Sequence, residues 1–327
     1  MFVVILLLCG TIVLTSCKKE EELPQPTNTK IKYHCATLTE GQQLMLANTD
    51  YYNSLTQVDI DWRMRRTGAT LNEMMDFARS CVRDFTDEDK AAIAKAVAFI
   101  ERKLHDMGAS LPFPQEDIVF VKTTMEEESD AGAYTHKTEV YVGDLLMSLY
   151  DSDSLYFYEI IAHELFHSLT RNSPEFRRQM YSLIGFTTTG TDYLFAPAIR
   201  NMIITNPDVE HIDNYAVFTI DGVKRNCALI VLYTKTWAEA SAMDGDSASF
   251  FNHSQCVLVP VDELDVYYPV DDVPDFWDVV GRNTEYVFAP EECLADNFAY
   301  AVIYGANGRD YQTPQLISDI IDLLRRY

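Results

Sequence analysis

The chain has 327 residues, 47% hydrophobic and 12% aromatic, which is ample for a large packed core and rules out a disordered or fibrous chain. Asp plus Glu number 50 against 26 Lys plus Arg, and the net charge of -24 repels phosphate backbones, arguing against a nucleic-acid binder. The seven cysteines include no C-x-x-C pair, so zinc-ribbon and thioredoxin-type motifs are absent from the sequence.

Met1 to Val13 is almost wholly apolar. A run of about 13 residues is too short to cross about 30 Å of hydrocarbon as a helix but suits the core of a signal peptide. No Lys or Arg precedes it, and Leu14-Thr15-Ser16-Cys17 follows. Those four residues resemble the lipobox of bacterial lipoproteins. The resemblance implies a signal peptide over 1–16 and an acylated Cys17 as the mature N-terminus. Lys18-Lys19-Glu20-Glu21-Glu22 looks like the export tags that carry some Gram-negative lipoproteins to the outer face, and a Pro-rich tether runs on to residue 30. The expectation is a chain anchored through Cys17 to outer-membrane lipid at the cell surface. The alternative is an ordinary secretory peptide in which Cys17 is incidental. Without Cys9 and Cys17 five thiols remain, an odd number, and they read mostly as small buried hydrophobes.

Residues 31–185 read as a helical region, a small sheet and one further helix that carries chemistry. From about Ala36 to Gly108 the pattern is helical. It is clearest from Thr86, which with Asp89 resembles a capping box, through Ile93, Val97, Ile100, Leu104 and Met107 to Gly108. Asp117–Lys122 and Thr138–Val142 read as strands. Between them Glu126-Glu127-Glu128-Ser129-Asp130 reads as a solvated loop. Asp151–Ser154 offers caps for a helix to about Thr170, and Ser173-Pro174-Glu175 starts another. Residues 186–288 form a β-rich insertion: Asn214–Ile220 and Val223–Tyr233 flank an Asp221-Gly222 turn, and Cys256–Val261 is a further strand. Residues 289–327 return to helix, over Pro290–Tyr304 and Gln315–Arg325.

His163-Glu164-Leu165-Phe166-His167 is an H-E-x-x-H motif within a Gly- and Pro-free apolar stretch, 155–169, that reads as a buried helix. Residues i and i+4 share one side of a helix, so both imidazoles can reach one metal at about 2.0–2.1 Å. Glu164 lies about 100° further round, placed to take a proton from water that zinc acidifies toward a pKa of about 7. A catalytic zinc needs a third protein ligand. The His six residues on that one family uses is Ser173 here, and no Glu occurs between Glu175 and Glu210. Glu292 and Asp296, i and i+4 on a later helix, supply carboxylates: one can bind metal while the other accepts the free ring N–H of a ligating His.

H-E-x-x-H followed by E-x-x-x-D on a later helix resembles the gluzincin clan of zinc metallopeptidases, the thermolysin-like group. The resemblance implies Zn2+ bound by His163, His167 and Glu292, Glu164 as general base, and Asp296 as partner of His163. It also implies a zincin-like α+β fold. The clan's oxyanion-stabilising Tyr or His is not placed by spacing; Tyr286 and His253 are candidates, and Tyr286 reads first as a packed aromatic. Glu291, about 100° off the Asp296 face, reads as a solvated first-turn acid favoured by the helix dipole. Cys293 reads as core. His34, His105, His136 and His211 read as surface or satisfied histidines.

The expected function is hydrolysis of peptide bonds in a peptide or protein substrate, with Thr138–Val142 as a candidate edge strand for an extended substrate backbone. The competing reading is a non-catalytic zinc-binding surface lipoprotein that keeps the scaffold without turnover. A third is a structural protein in which the motif is fortuitous.

Overall fold

A computed structural model describes residues 30–327. The signal segment 1–16, Cys17 and the tether up to residue 29 lie outside the described residues.

The helical pattern over 36–108 is divided into separate helices by threonine capping boxes. Thr37, Thr56, Thr70 and Thr86 each accept from the backbone N–H three residues on, and Glu40, Asp59, Glu73 and Asp89 bond back. The helices Leu38–Ala47, Gln57–Arg63, Leu71–Cys81 and Asp87–Met107 result, the last stopped by Gly108 at φ +81°.

The first sheet holds β1 (Tyr33–Cys35), β2 (Val82–Arg83), β3 (Ile118–Thr123), β4 (Ala133–His136) and β5 (Glu139–Gly143). Its order is β1-β3-β5-β4, with β1, β3 and β5 parallel, β4 antiparallel to β5, and β2 pairing the far end of β3 antiparallel. β5 therefore has a partner on each side, so Thr138–Val142 presents no free edge, contrary to expectation; β4, outside it, is an edge strand. The short β4–β5 hairpin, turning at Lys137 with φ +52°, adds this antiparallel strand outside the one the sequence suggested.

Alternation along β3 and β5 sorts their side chains onto two faces. Val119, Val121 and Tyr141 pack on Met45, Tyr52, Ile60 and Met74 of the N-terminal helices. Phe120, Val140 and Val142 face the main core, with Ile93 and Ile100, Phe157 and Leu165 of the helix Ser154–Asn172 (the motif helix), and Phe298 of the helix Pro290–Ile303 (the acidic helix). The site helices thus lie on the same face of the sheet as the helix Asp87–Met107, opposite the helices that carry Met45, Tyr52, Ile60 and Met74.

A second, antiparallel sheet runs β10-β9-β8-β7-β6 from Tyr268–Pro269, Ser254–Pro260, Val223–Tyr233, Asn214–Ile220 and Thr187–Thr188. Asp221 and Gly222, at φ +50° and +79°, make the two-residue turn between β7 and β8. The helices Pro197–Arg200, Trp237–Asp244 and Phe276–Val280 interrupt this part of the chain. The described chain is a mixed α and β fold.

Candidate metal centre

Asp153 caps the motif helix by accepting from the Tyr156 N–H at 3.0 Å. The helix then runs through the core: residues 161–170 are all buried, including His163, Glu164 and His167. The acidic helix packs beside it. Pro290 occupies its first turn, where a missing N–H costs nothing, and Glu291 and Glu292 follow at its positive end.

The two helices bring three side chains together. Glu292 Oε2 lies 3.1 Å from His163 Nε2 and 3.6 Å from His167 Nε2, and one donor atom from each residue falls within 4.8 Å of the other two. Each imidazole is backed on its other side. His163 Nδ1–H donates to Asp296 Oδ1 at 2.8 Å, and the Thr284 hydroxyl donates to Asp296 Oδ2 at 2.5 Å. His167 Nδ1–H donates to Glu291 Oε1 at 3.1 Å; Glu291 also accepts from the Thr170 and Tyr181 hydroxyls at 2.5 and 2.7 Å. These acceptors fix tautomers in which both Nε2 lone pairs face inward.

Glu164 lies in the same chamber, where its Oε2 accepts from the Thr135 hydroxyl of β4 at 2.7 Å. Asn206 donates its amide to Glu292 Oε1, and the Tyr286 hydroxyl reaches that oxygen at 3.4 Å. Asp208 completes the wall: it accepts from the Thr135 N–H at 2.7 Å and stands 3.8 Å from His167 Nε2.

The electrostatics are those of a surplus of negative charge. Glu164, Asp208, Glu291 and Glu292 are buried, and Asp296 is partly so, around two imidazoles. Burial raises the Glu164 and Asp208 carboxyls, Asp208 far above the usual carboxylate range, although the nearby imidazoles oppose the shift. Burial presses the two histidines down, yet the carboxylates hold both above their ordinary range: Asp296 and Glu292 act on His163, Asp208 and Glu291 on His167. The fully buried His167 Nε2 has no hydrogen-bond partner. A buried nitrogen without a partner, facing two carboxylate oxygens in a negative chamber, fits a divalent cation, and a nitrogen and oxygen donor set suits zinc.

The structure brings His163, Glu164, His167, Glu292 and Asp296 together, with Tyr286 at the margin. His253 goes elsewhere: it pairs with Asp244 at 2.6 Å and packs near Trp62. Glu291 corrects the sequence reading. It is buried because its face of the acidic helix, turned away from Asp296, meets His167 one turn further along the motif helix. Glu127 and Glu128 are likewise buried instead of solvated, Glu128 against Arg63. His136 is buried among Tyr51, Tyr134 and Tyr141. Cys293 is core. The five cysteines among the described residues are unpaired, and burial pushes the Cys227, Cys256 and Cys293 thiols up to about 12.

Asn206, Asp208 and Thr135 carry no motif that sequence reasoning could have found. Asn206-Pro207-Asp208 reads only as a turn, and Thr135 lies in a stretch with no strand signal of its own. No protein-family model matches this chain, and no curated protein or solved structure matches it either.

Proposed function

We propose that this chain is a zinc-dependent peptidase similar to the gluzincins, built on a zincin-like scaffold and held at the bacterial surface by an acylated Cys17. The observation that carries the reading is the convergence of His163 Nε2, His167 Nε2 and the Glu292 carboxylate, with a carboxylate behind each imidazole. In this reading those three residues hold the ion, and Asp296 and Glu291 fix the tautomer and orientation of the imidazoles and raise their basicity as ligands. A bound zinc ion would supply Lewis-acid polarisation of a peptide carbonyl and of water.

The chain's own residues do the rest. Glu164, steadied by the Thr135 hydroxyl, accepts the proton of the attacking water at its carboxylate and passes it to the leaving amine. Its burial favours this work, because a raised carboxyl is a stronger base toward water. The outer edge of β4 carries the N–H and C=O of Thr135, which an extended peptide backbone would pair with in place of Asp208 and Arg171. The Tyr286 hydroxyl, beside Glu292, is the oxyanion donor.

Asp208 favours a second reading, a non-catalytic zinc-binding surface lipoprotein. A carboxylate standing 3.8 Å from His167 Nε2 can close the position that a catalytic ion keeps open. Metal analysis and a broad peptide-library digest of the parent chain and Glu164→Gln separate the readings. The peptidase reading expects one zinc per chain in both, with cleavage by the parent alone. Equal cleavage by Glu164→Gln removes Glu164 as the base, and bound zinc without cleavage under any condition favours the second reading.

A further inference from the structure

The segment 205–210 runs beside the centre, where Asn206 meets Glu292 and Asp208 stands near His167. It is fastened at Thr205, whose N–H and hydroxyl donate to the two Asp59 oxygens at 3.1 and 2.8 Å. The Thr205 carbonyl accepts from Arg63 at 2.6 Å. Beyond that anchor Asn206 donates to Glu292, and Asp208 reaches β4. Arg171 donates to the Pro207 carbonyl at 2.8 Å and to the Thr135 carbonyl at 2.7 Å. Both outward backbone groups of Thr135 on the edge strand are therefore taken, the N–H by Asp208 and the C=O by Arg171.

Asp208 does not serve the strand alone. The partnerless His167 Nε2 faces Glu292 Oε2 at 3.6 Å and Asp208 Oδ1 at 3.8 Å. Ligand atoms on a tetrahedron with bonds of about 2.0–2.2 Å stand about 3.3–3.6 Å apart, so His167 Nε2 lies near ligand spacing from both oxygens, at the junction of two donor groups, His163, His167 and Glu292 on one side and Glu164, His167 and Asp208 on the other.

We propose that Asp208 is an internal fourth ligand of the cation and that residues 206–210 form a displaceable latch, which keeps the centre closed until an extended peptide replaces it. The inference rests on the zinc-peptidase reading. The incoming backbone offers Thr135 the acceptor and donor that Asp208 and Arg171 now provide, and its carbonyl oxygen replaces Asp208 Oδ1. The occupant is thus a peptide in extended form.

Packing supports displacement. Open pockets adjoin the latch: about 240 Å3 lined also by Phe195 and Ile230, about 250 Å3 lined also by Arg177 and Tyr181, and about 390 Å3 lined also by Tyr51 and His136. These pockets open to solvent, so residues 205–210 pack on fewer neighbours than the buried strands and helices beside them and move at lower cost.

The test uses the full chain loaded with Co2+, read by its visible absorption and titrated with acetohydroxamate, a small chelator that mimics a peptide carbonyl. Asp208→Asn keeps the shape and an acceptor for the Thr135 N–H but weakens the ligand. It is expected to change the cobalt bands and to bind acetohydroxamate at least about tenfold more tightly than the parent, as release of a mostly closed state requires. Arg171→Gln leaves Asp208 in place, loosens its tether and shifts affinity the same way; it carries the test if Asp208→Asn does not fold. Stoichiometric cobalt with the same acetohydroxamate affinity in all three chains overturns the latch and leaves the metal site standing. Loss of cobalt from Asp208→Asn, with a parent that never responds to acetohydroxamate, also overturns it, because Asp208 is then a permanent ligand. Failure of the parent itself to bind cobalt removes both the latch and the peptidase reading.

Discussion

The Nδ1–H of His167 donates to Glu291 Oε1 at 3.1 Å, while the next residue on the same helix, Glu292, stands 3.6 Å from the opposite nitrogen of that ring. Two consecutive carboxylates thus hold one imidazole from both sides. The outer one sets the tautomer, and with Thr170 and Tyr181 donating to it, it cannot easily turn away. Replacing such a carboxylate behind a ligating histidine lowers metal affinity by about 10–100-fold. Glu291→Ala should weaken zinc by that factor in competition with a chromophoric chelator, and Asp296→Ala should do the same through His163. Unchanged affinity in Glu291→Ala would remove its role behind His167.

Metal removal should destabilise the fold. A ligand that binds only the native state adds about 2.7 kcal/mol when its free concentration is 100 times Kd. Without the ion, four buried carboxylates also lose the charge that balances them. A chelator should therefore lower the melting temperature of the parent and of Glu164→Gln, which retains the ligands, and leave His167→Ala unmoved. A parent whose melting ignores chelator binds no structurally linked metal.

Arg63 ties the N-terminal helices to the site segment. It donates to Glu128 Oε2 at 2.9 Å, to Asp59 Oδ1 at 3.3 Å and to the Thr205 carbonyl at 2.6 Å, and all three charged groups are buried. Removing one partner of a buried ion pair leaves the others uncompensated and costs about 3–5 kcal/mol. Arg63→Met should lose that much in urea unfolding. It should also weaken zinc binding, because Thr205 immediately precedes Asn206, which donates to Glu292. A loss of stability below about 1 kcal/mol would mean that the network contributes no more than a surface pair.

The sequence carried those parts of the site that local rules govern. An i, i+4 spacing puts His163 beside His167 and Glu292 beside Asp296 on their helices, whatever the tertiary fold. The Asp221-Gly222 turn and the Thr86 cap were legible for the same reason. Glu291 was misread because helix geometry gives its angle from Asp296 correctly but says nothing of what lies on that side. Asp208 and Thr135 were invisible because their proximity comes from long-range packing of a turn onto an edge strand. β4 itself was missed: its four residues, Ala133 to His136, are too few for a periodicity to declare itself.

Glu127 gives the fold a pH dependence of its own, away from the metal centre. Only 1% exposed, it accepts from the Tyr134 hydroxyl at 3.0 Å through Oε1, while Oε2 has no hydrogen-bond partner. Burial lifts its carboxyl from 4.5 to about 7, a shift that Thr123 and Tyr134 only partly oppose. The fold therefore favours the protonated acid. That contribution is fully present below pH 4.5, where the unfolded chain is protonated too, and it is lost as pH rises through about 7. The shift is worth about 3 kcal/mol across that window. Glu127→Gln stays neutral at every pH and can keep the Tyr134 bond. Measured by urea unfolding at intervals from pH 5 to pH 8, the variant should gain on the parent by up to about 3 kcal/mol as pH rises. A constant difference across that range would mean that Glu127 ionises as freely in the fold as in the unfolded chain.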